Sequence, residues 1–321
     1  VLSTRFTQLL DCSVPIQLAG MGGFADPELP AAVANAGGLG MIGGVMVPAP
    51  ALAETLESLG QRTDGPFGVN FLMPFLDREC VEVAAEKARL VEFFYDQPDD
   101  SLVNVVHSAG ALAAWQVGSR EEARAAEQSG CDLVIAQGIE AGGHVRGQIG
   151  LLTLLSEVLD VVQVPVVAAG GIGTARAMAG ALAAGADAVR VGTRFVAATE
   201  SHAHPQWVRA LLDARPEDTV LTQAFSVMWP NAPHRVLRSC VEAAEAFEGE
   251  VVGEMLHAGT EMQIPKLSVP GPNRQTSGSI EAMALYAGQS VGAVKAIQSA
   301  GEIVRELADG AERLLHRWPS A

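Results

Sequence analysis

The segment Gln137-Gly138-Ile139-Glu140-Ala141-Gly142-Gly143-His144-Val145-Arg146-Gly147 holds the side chain best suited to proton chemistry. His144 directly follows two glycines, and the segment directly follows the apolar run Leu133–Gly138. A histidine on a tight turn at a strand end reaches a bound ligand, and an imidazole takes or gives a proton near neutral pH. A second signal is the pair Gly170-Gly171 with Ile172-Gly173, matched by Gly192-Thr193-Arg194 after the next apolar run. Glycines there let the backbone approach an anion, and adjacent strand ends of this kind cradle phosphate. Arg194 adds charge nearby, whereas Arg190 is expected to point away from the barrel axis. Asn70, Gln116 and Gln137 lie at the ends of three further apolar runs. An amide at each end reads as a ring of donors and acceptors around a planar heterocycle. Ala19-Gly20-Met21 leaves room for it.

Other motifs carry less. Gly38-Leu39-Gly40-Met41-Ile42-Gly43 matches GxGxxG, but its glycines lie within a strand and do not open a helix, so no dinucleotide site is expected. His202 and His204 lack an evident third ligand, so no metal is expected. His107, His257 and His316 have no chemical context, while His234 in MWPNAPHRV is placed to face the site from a cap. The carboxylates show no acid/base pairing, and no GxSxG nucleophile elbow is present.

Eight short apolar runs are spaced along the first 200 residues: Pro15–Met21, Gly38–Gly43, Phe67–Leu72, Val91–Asp96, Leu112–Val117, Leu133–Gly138, Val164–Gly170 and Ala188–Thr193. Strands apolar on both faces and followed by helices indicate a parallel sheet covered on both sides. Eight such units point to a closed (β/α)₈ barrel. Asp26 before Pro27, Ser119 with Glu122, and Thr174 are expected helix starts, and Gly37, Gly130 and Gly185 expected stops. The expected division is a barrel over 1–220, a smaller helical cap over 221–278, with Thr219–Gly259 read as helical, and helices returning to the barrel over 279–321.

The 321 residues carry 21 basic and 37 acidic side chains, a net charge of −16. An acidic chain without a basic run is a poor nucleic-acid binder. No apolar stretch approaches a membrane span. The opening VLSTRFTQLL lacks the pattern of a secretory leader. Cys12, Cys80, Cys131 and Cys240 are scattered, so idle thiols in a reducing, cytoplasmic setting are expected.

The segments PIQLAGM, GVNF, QGIEAGGHVRG, PVVAAGGIGTARAMAGALAAGADAV, VGTRFVAATES and YAGQSVG resemble the nitronate monooxygenase family, formerly called 2-nitropropane dioxygenases. The resemblance runs over nearly the whole chain. It implies an α/β fold, a (β/α)₈ TIM barrel with a smaller helical cap, holding FMN. The implied reaction is oxidation of an alkyl nitronate or nitroalkane by dioxygen to a carbonyl compound and nitrite. It makes His144 the active-site histidine beside the flavin. Ala19, Gly20, Met21, Asn70, Gln116, Gln137 and Gly142 are then implied to line the flavin ring and ribityl chain. Ala169, Gly170, Gly171, Gly192 and Thr193 are implied to hold the phosphate, and Gln289 and Ser290 to close the site. The same resemblance extends to flavin enoyl-acyl-carrier-protein reductases and NADH:quinone reductases, so it fixes the cofactor better than the reaction. A non-catalytic flavin-binding module is the remaining alternative, and a histidine at the mouth argues against it. Whether the chain forms a homodimer is left open.

Overall fold

The computed structural model describes residues 2–22, 26–257 and 260–317. All eight apolar runs are strands: β1 (Ile16–Leu18), β2 (Gly40–Gly43), β3 (Phe67–Leu72), β4 (Leu90–Phe94), β5 (Leu112–Val117), β6 (Leu133–Gln137), β7 (Val166–Ala169) and β8 (Ala188–Val191). They pair in parallel in the order β1-β8-β7-β6-β5-β4-β3-β2. Leu18 N–H to Leu39 C=O and Leu39 N–H to Ile16 C=O, both 2.9 Å, join β1 to the start of β2 and close the ring. This is the (β/α)₈ barrel.

The helices around it are α1 (Arg5–Leu10), α2 (Glu28–Asn35), α3 (Ala49–Gly60), α4 (Arg78–Lys87), α5 (Asp100–Ser108), α6 (Arg120–Gln128), α7 (Leu151–Leu159), α8 (Ala175–Ala183) and the single turn α9 (Thr193–Val196). Ser119 accepts from Glu122 N–H and Thr174 from Ala177 N–H, so both cap as expected. Asp26 does not cap α2, whose cap position is Pro27 without a side-chain bond. Gly37, Gly130 and Gly185 take the left-handed conformation that ends a helix.

After α10 (Pro205–Asp213) the chain departs from the helical expectation. Thr219–Gly259 contains β9 (Thr219–Thr222), β10 (His234–Leu237), α11 (Arg238–Ala246) and β11 (Val251–His257), and β12 (Thr260–Pro265) follows. His234-Arg235-Val236-Leu237 and the β-branched start of β11 favour strands that pair locally, β9 with β10 and β11 with β12. The return segment is likewise less helical than expected. Residues 283–299 hold only a 3₁₀ turn at Gln289–Ala293 before α12 (Ala300–Leu315).

Two apolar clusters organise the molecule. One fills and surrounds the barrel and includes Ile303, Val304 and Leu307 of α12. The other runs from Val196 through Trp207, Phe225 and Ile264 to Val294. The expected boundaries at 220 and 278 therefore fall inside the second core. Its edges are set by which side chains pack together, and the composition change does not mark them. Cys12, Cys80, Cys131 and Cys240 are all buried free thiols. No helix among the described residues is long and apolar enough to cross a membrane.

Candidate active site

A cavity of about 270 Å³ opens at the C-terminal ends of the barrel strands, beneath the cap. Barrel mouths of this kind are where loops build sites. The structure brings nearly every anticipated residue into its wall: Ala19, Gly20, Met21, Asn70, Gln116, Gln137, Gly142, His144, Ala169, Gly170, Gly171, Gly192, Thr193 and Ser290. Gln289 is the exception. It begins the 3₁₀ turn, its side chain is exposed, and its N–H goes to Glu140 C=O at 2.9 Å, so the turn delivers Ser290 and leaves Gln289 outside.

The histidine loop is braced on every side. Both Glu140 carboxylate oxygens accept from Leu151 N–H at 3.0 Å, tying the loop to the start of α7. A Cβ on Gly142 would lie 2.4 Å from Gly288 N, so two backbones meet here where a side chain has no room. Gly143–His144 pairs antiparallel with His234–Arg235 of β10, making the loop an edge strand of the cap sheet. Gln137 Nε2 donates to His144 C=O at 2.9 Å.

The imidazole of His144 stacks on Trp229, with ring centroids 4.0 Å apart, and His234, Tyr286 and Tyr95 surround it at 5.3, 5.8 and 6.1 Å. His144 Nε2 is buried without a hydrogen-bond partner, as is Gln137 Oε1. Burial, then the neighbouring His234, lowers the His144 pKa from its ordinary value to about 3. Burial therefore favours the neutral ring in the cavity as it stands. His234 faces the site as expected, but it is committed to structure. Its Nδ1 lies 2.9 Å from Ala232 C=O and its Nε2 accepts from Phe225 N–H at 3.3 Å.

The depressed pKa has a consequence for stability. Unfolded chain protonates this histidine below about pH 6.5, whereas the folded protein resists until about pH 3. Stability should fall as pH drops through that window, by up to roughly 1.4 kcal/mol per pH unit for this group. Urea unfolding of wild type and His144→Gln between pH 7 and pH 5 checks it. The variant should show the shallower loss, and identical pH profiles would contradict the assignment.

Below the cavity the barrel interior is not apolar throughout. Arg190 turns inward, contrary to expectation, and lies beside the fully buried Glu92, with which it pairs. Asn70 Nδ2 donates to Glu92 Oε1 at 2.6 Å and Gln17 Nε2 to Glu92 Oε2 at 3.0 Å. Arg190 Nη1 donates to Gln116 Oε1. Two opposite charges in strands otherwise apolar on both faces were the available signal, because neither is stable in the interior without the other. Arg194 also differs from expectation. It donates to Gly173 C=O at 2.9 Å and to Glu306 and Gln298, binding the strand-7 loop to α12. Its guanidinium holds the Glu306 carboxyl below the usual range. Trp229 and Tyr95 gave no sequence signal. Tyr95 sits at φ +84°, a strained conformation for a non-glycine residue.

His202, set aside as a ligand for want of partners, meets Asp26 at 2.5 Å and Glu28 at 3.9 Å on the half-exposed surface. The partners come from a distant part of the chain.

A sequence model of the nitronate monooxygenase family matches residues 3–79 and 73–310. The chain belongs to the nitronate monooxygenase family. It is a flavin-dependent oxidoreductase. A probable nitronate monooxygenase of Staphylococcus aureus is 29% identical over 294 residues, covering 77% of this chain and 82% of that one. FabK from Thermotoga maritima is 33% identical, with TM-score 0.83 over 99% of this chain and 98% of the other. A nitroalkane oxidase from Streptomyces ansochromogenes is 29% identical, with TM-score 0.81 over 98% and 100%.

The donor set of this family member fits a flavin. With its nitrogen committed to Glu92, Asn70 has an oxygen to offer, and with its oxygen committed to Arg190, Gln116 has an NH₂ to offer. The uncommitted Gln137 oxygen adds a second acceptor. Gly170 at φ +114° and Gly171 at φ +67° form a side-chain-free edge suited to an anion.

Proposed function

We propose that the protein binds FMN in the barrel mouth and oxidises alkyl nitronates with dioxygen, giving a carbonyl compound and nitrite. Ala19, Gly20, Met21, Asn70, Gln116, Gln137 and Gly142 would hold the ring and ribityl chain. Ala169, Gly170, Gly171, Gly192 and Thr193 would hold the single phosphate. The observation that carries the reading is the unpartnered Nε2 of a neutral His144 in the cavity wall. Bound flavin supplies the electron acceptance that a side chain does not offer.

The remaining work falls to the chain itself. A neutral imidazole donates its N–H to a nitronate oxygen in one tautomer and accepts the α-proton of a neutral nitroalkane in the other. Stacking on Trp229 fixes the ring plane while the reacting group arrives. The cap wall beyond the histidine is apolar, with Met228, Met255, Met262 and Val269 among its members. It suits an alkyl chain and keeps water from the reacting carbon. Nitrite release with oxygen uptake on addition of a nitronate tests the reaction. Absence of both would overturn it.

The likeness to the enoyl reductase FabK supports a second reading, an NAD(P)H-using flavin reductase. Against it stands a cavity wall in which, among the described residues, Arg190, engaged below, is the one Lys or Arg. A dinucleotide phosphate finds no further cation there to meet it.

One phosphate cradle and no pyrophosphate fingerprint predict that denatured protein releases FMN. Chromatography that shows FAD would contradict this.

A further inference from the structure

We infer that the buried pair Glu92–Arg190 is a positioning device for the flavin, fixing which way the amides of Asn70 and Gln116 face and setting the charge at the cavity wall. The pair is asymmetric about the cavity. Arg190, Asn70 and Gln116 line it, whereas Glu92 and Gln17 stand behind them. Glu92 is 0% exposed and accepts from Gln17, Asn70 and Arg190 together. Arg190 in turn donates to Glu92, to Gln116 Oε1 and, at 3.4 Å, to Gln17 Oε1.

An amide alone is free to present either its oxygen or its nitrogen to a ligand. Here the carboxylate accepts only, so Asn70 must turn its NH₂ toward Glu92. The guanidinium donates only, so Gln116 must turn its oxygen toward Arg190. The outcome is an acceptor at one point of the wall and a donor at another. That is the polarity required by the imide edge of an isoalloxazine, whose N–H lies between two carbonyls. Without the two charges, each amide would be able to flip and lose that match.

The same arrangement places the cation at the cavity and its counter-ion one layer deeper. A positive charge near the ring favours the anionic reduced flavin and raises the midpoint potential, and the carboxylate moderates the effect. This inference rests on FMN in the cavity, but not on nitronate as the substrate.

The test is reconstitution of apoprotein with FMN, reading dissociation constant and midpoint potential without substrate. Arg190→Gln should lower the potential and Glu92→Gln should raise it. Both should weaken FMN binding by roughly tenfold, the effect of one misdirected hydrogen bond to a charged or strongly polar group. A lone buried charge threatens folding, so the neutral double variant Glu92→Gln/Arg190→Gln is made alongside. It should fold, bind FMN more weakly and have a potential below wild type. Wild-type affinity and potential in the double variant would overturn the inference while leaving the proposed function intact. Wild-type protein that takes up no FMN would overturn both.

Discussion

Replacing His144 with Ala is expected to cut turnover of neutral nitroalkanes by roughly 10²–10⁴-fold, the range for loss of a general base. Preformed nitronates should suffer less, because they need only the orienting hydrogen bond. FMN content should stay near wild type, since Asn70, Gln116 and the Gly170–Gly171 backbone lie on other strands and Gln137 bonds only the His144 backbone carbonyl. The fold should also survive. His144 Nε2 has no protein partner, so its removal strands no buried group, and the backbone pairing with β10 persists. Steady-state kinetics with both substrate forms, beside the bound-flavin absorbance, checks the expectation. Full activity on both would make the histidine a bystander. Equal losses would make it a hydrogen-bonding anchor and not a base.

The second large effect concerns the phosphate cradle. Gly171→Val should weaken FMN binding by roughly 10- to 100-fold, while Gly110→Val should leave it almost unchanged. Both glycines have positive φ, +67° and +86°, so the backbone strain of a β-branched residue is comparable at the two sites. What differs is place. A Cβ at Gly171 falls 3.2 Å from Glu140 Cβ and pushes the loop off the anion, whereas one at Gly110 meets nothing within 4 Å on the opposite face of the barrel. One lost charge-assisted hydrogen bond at about 1.5–3 kcal/mol accounts for the magnitude. Fluorescence titration of apoprotein with FMN measures it. Comparable losses in the two variants would mean that the phosphate lies elsewhere.

The barrel was legible because its signal is local and repeated. Each of the eight strands is an apolar run such as Val166–Ala169, followed by a helix, and some of these helices carry their own caps, as Ser119 and Thr174 show. The mouth residues were legible for a related reason, since polar Asn70, Gln116 and Gln137 end strands that are otherwise apolar. The cap was not. His234–Leu237 becomes a strand only because it pairs with β9 on one side and Gly143–His144 on the other. That pairing joins residues some 90 positions apart, beyond any periodicity within a window. Glu92 and Arg190 were missed for the same physical cause. Each alone looks like a misplaced charge, and only barrel closure brings β4 and β8 to face one another across the interior. Trp229 stacks on His144 from an irregular loop whose path no local pattern specifies.

The central claim is that a flavin in this cavity takes its electrons from a nitronate. The direct measurement is anaerobic mixing of the holoprotein with a nitronate, NADH and NADPH in separate experiments, following the flavin absorbance. The account predicts bleaching by the nitronate and an unchanged spectrum with either nicotinamide. Rapid bleaching by NADH or NADPH, with none by the nitronate, would contradict it and make the protein a reductase.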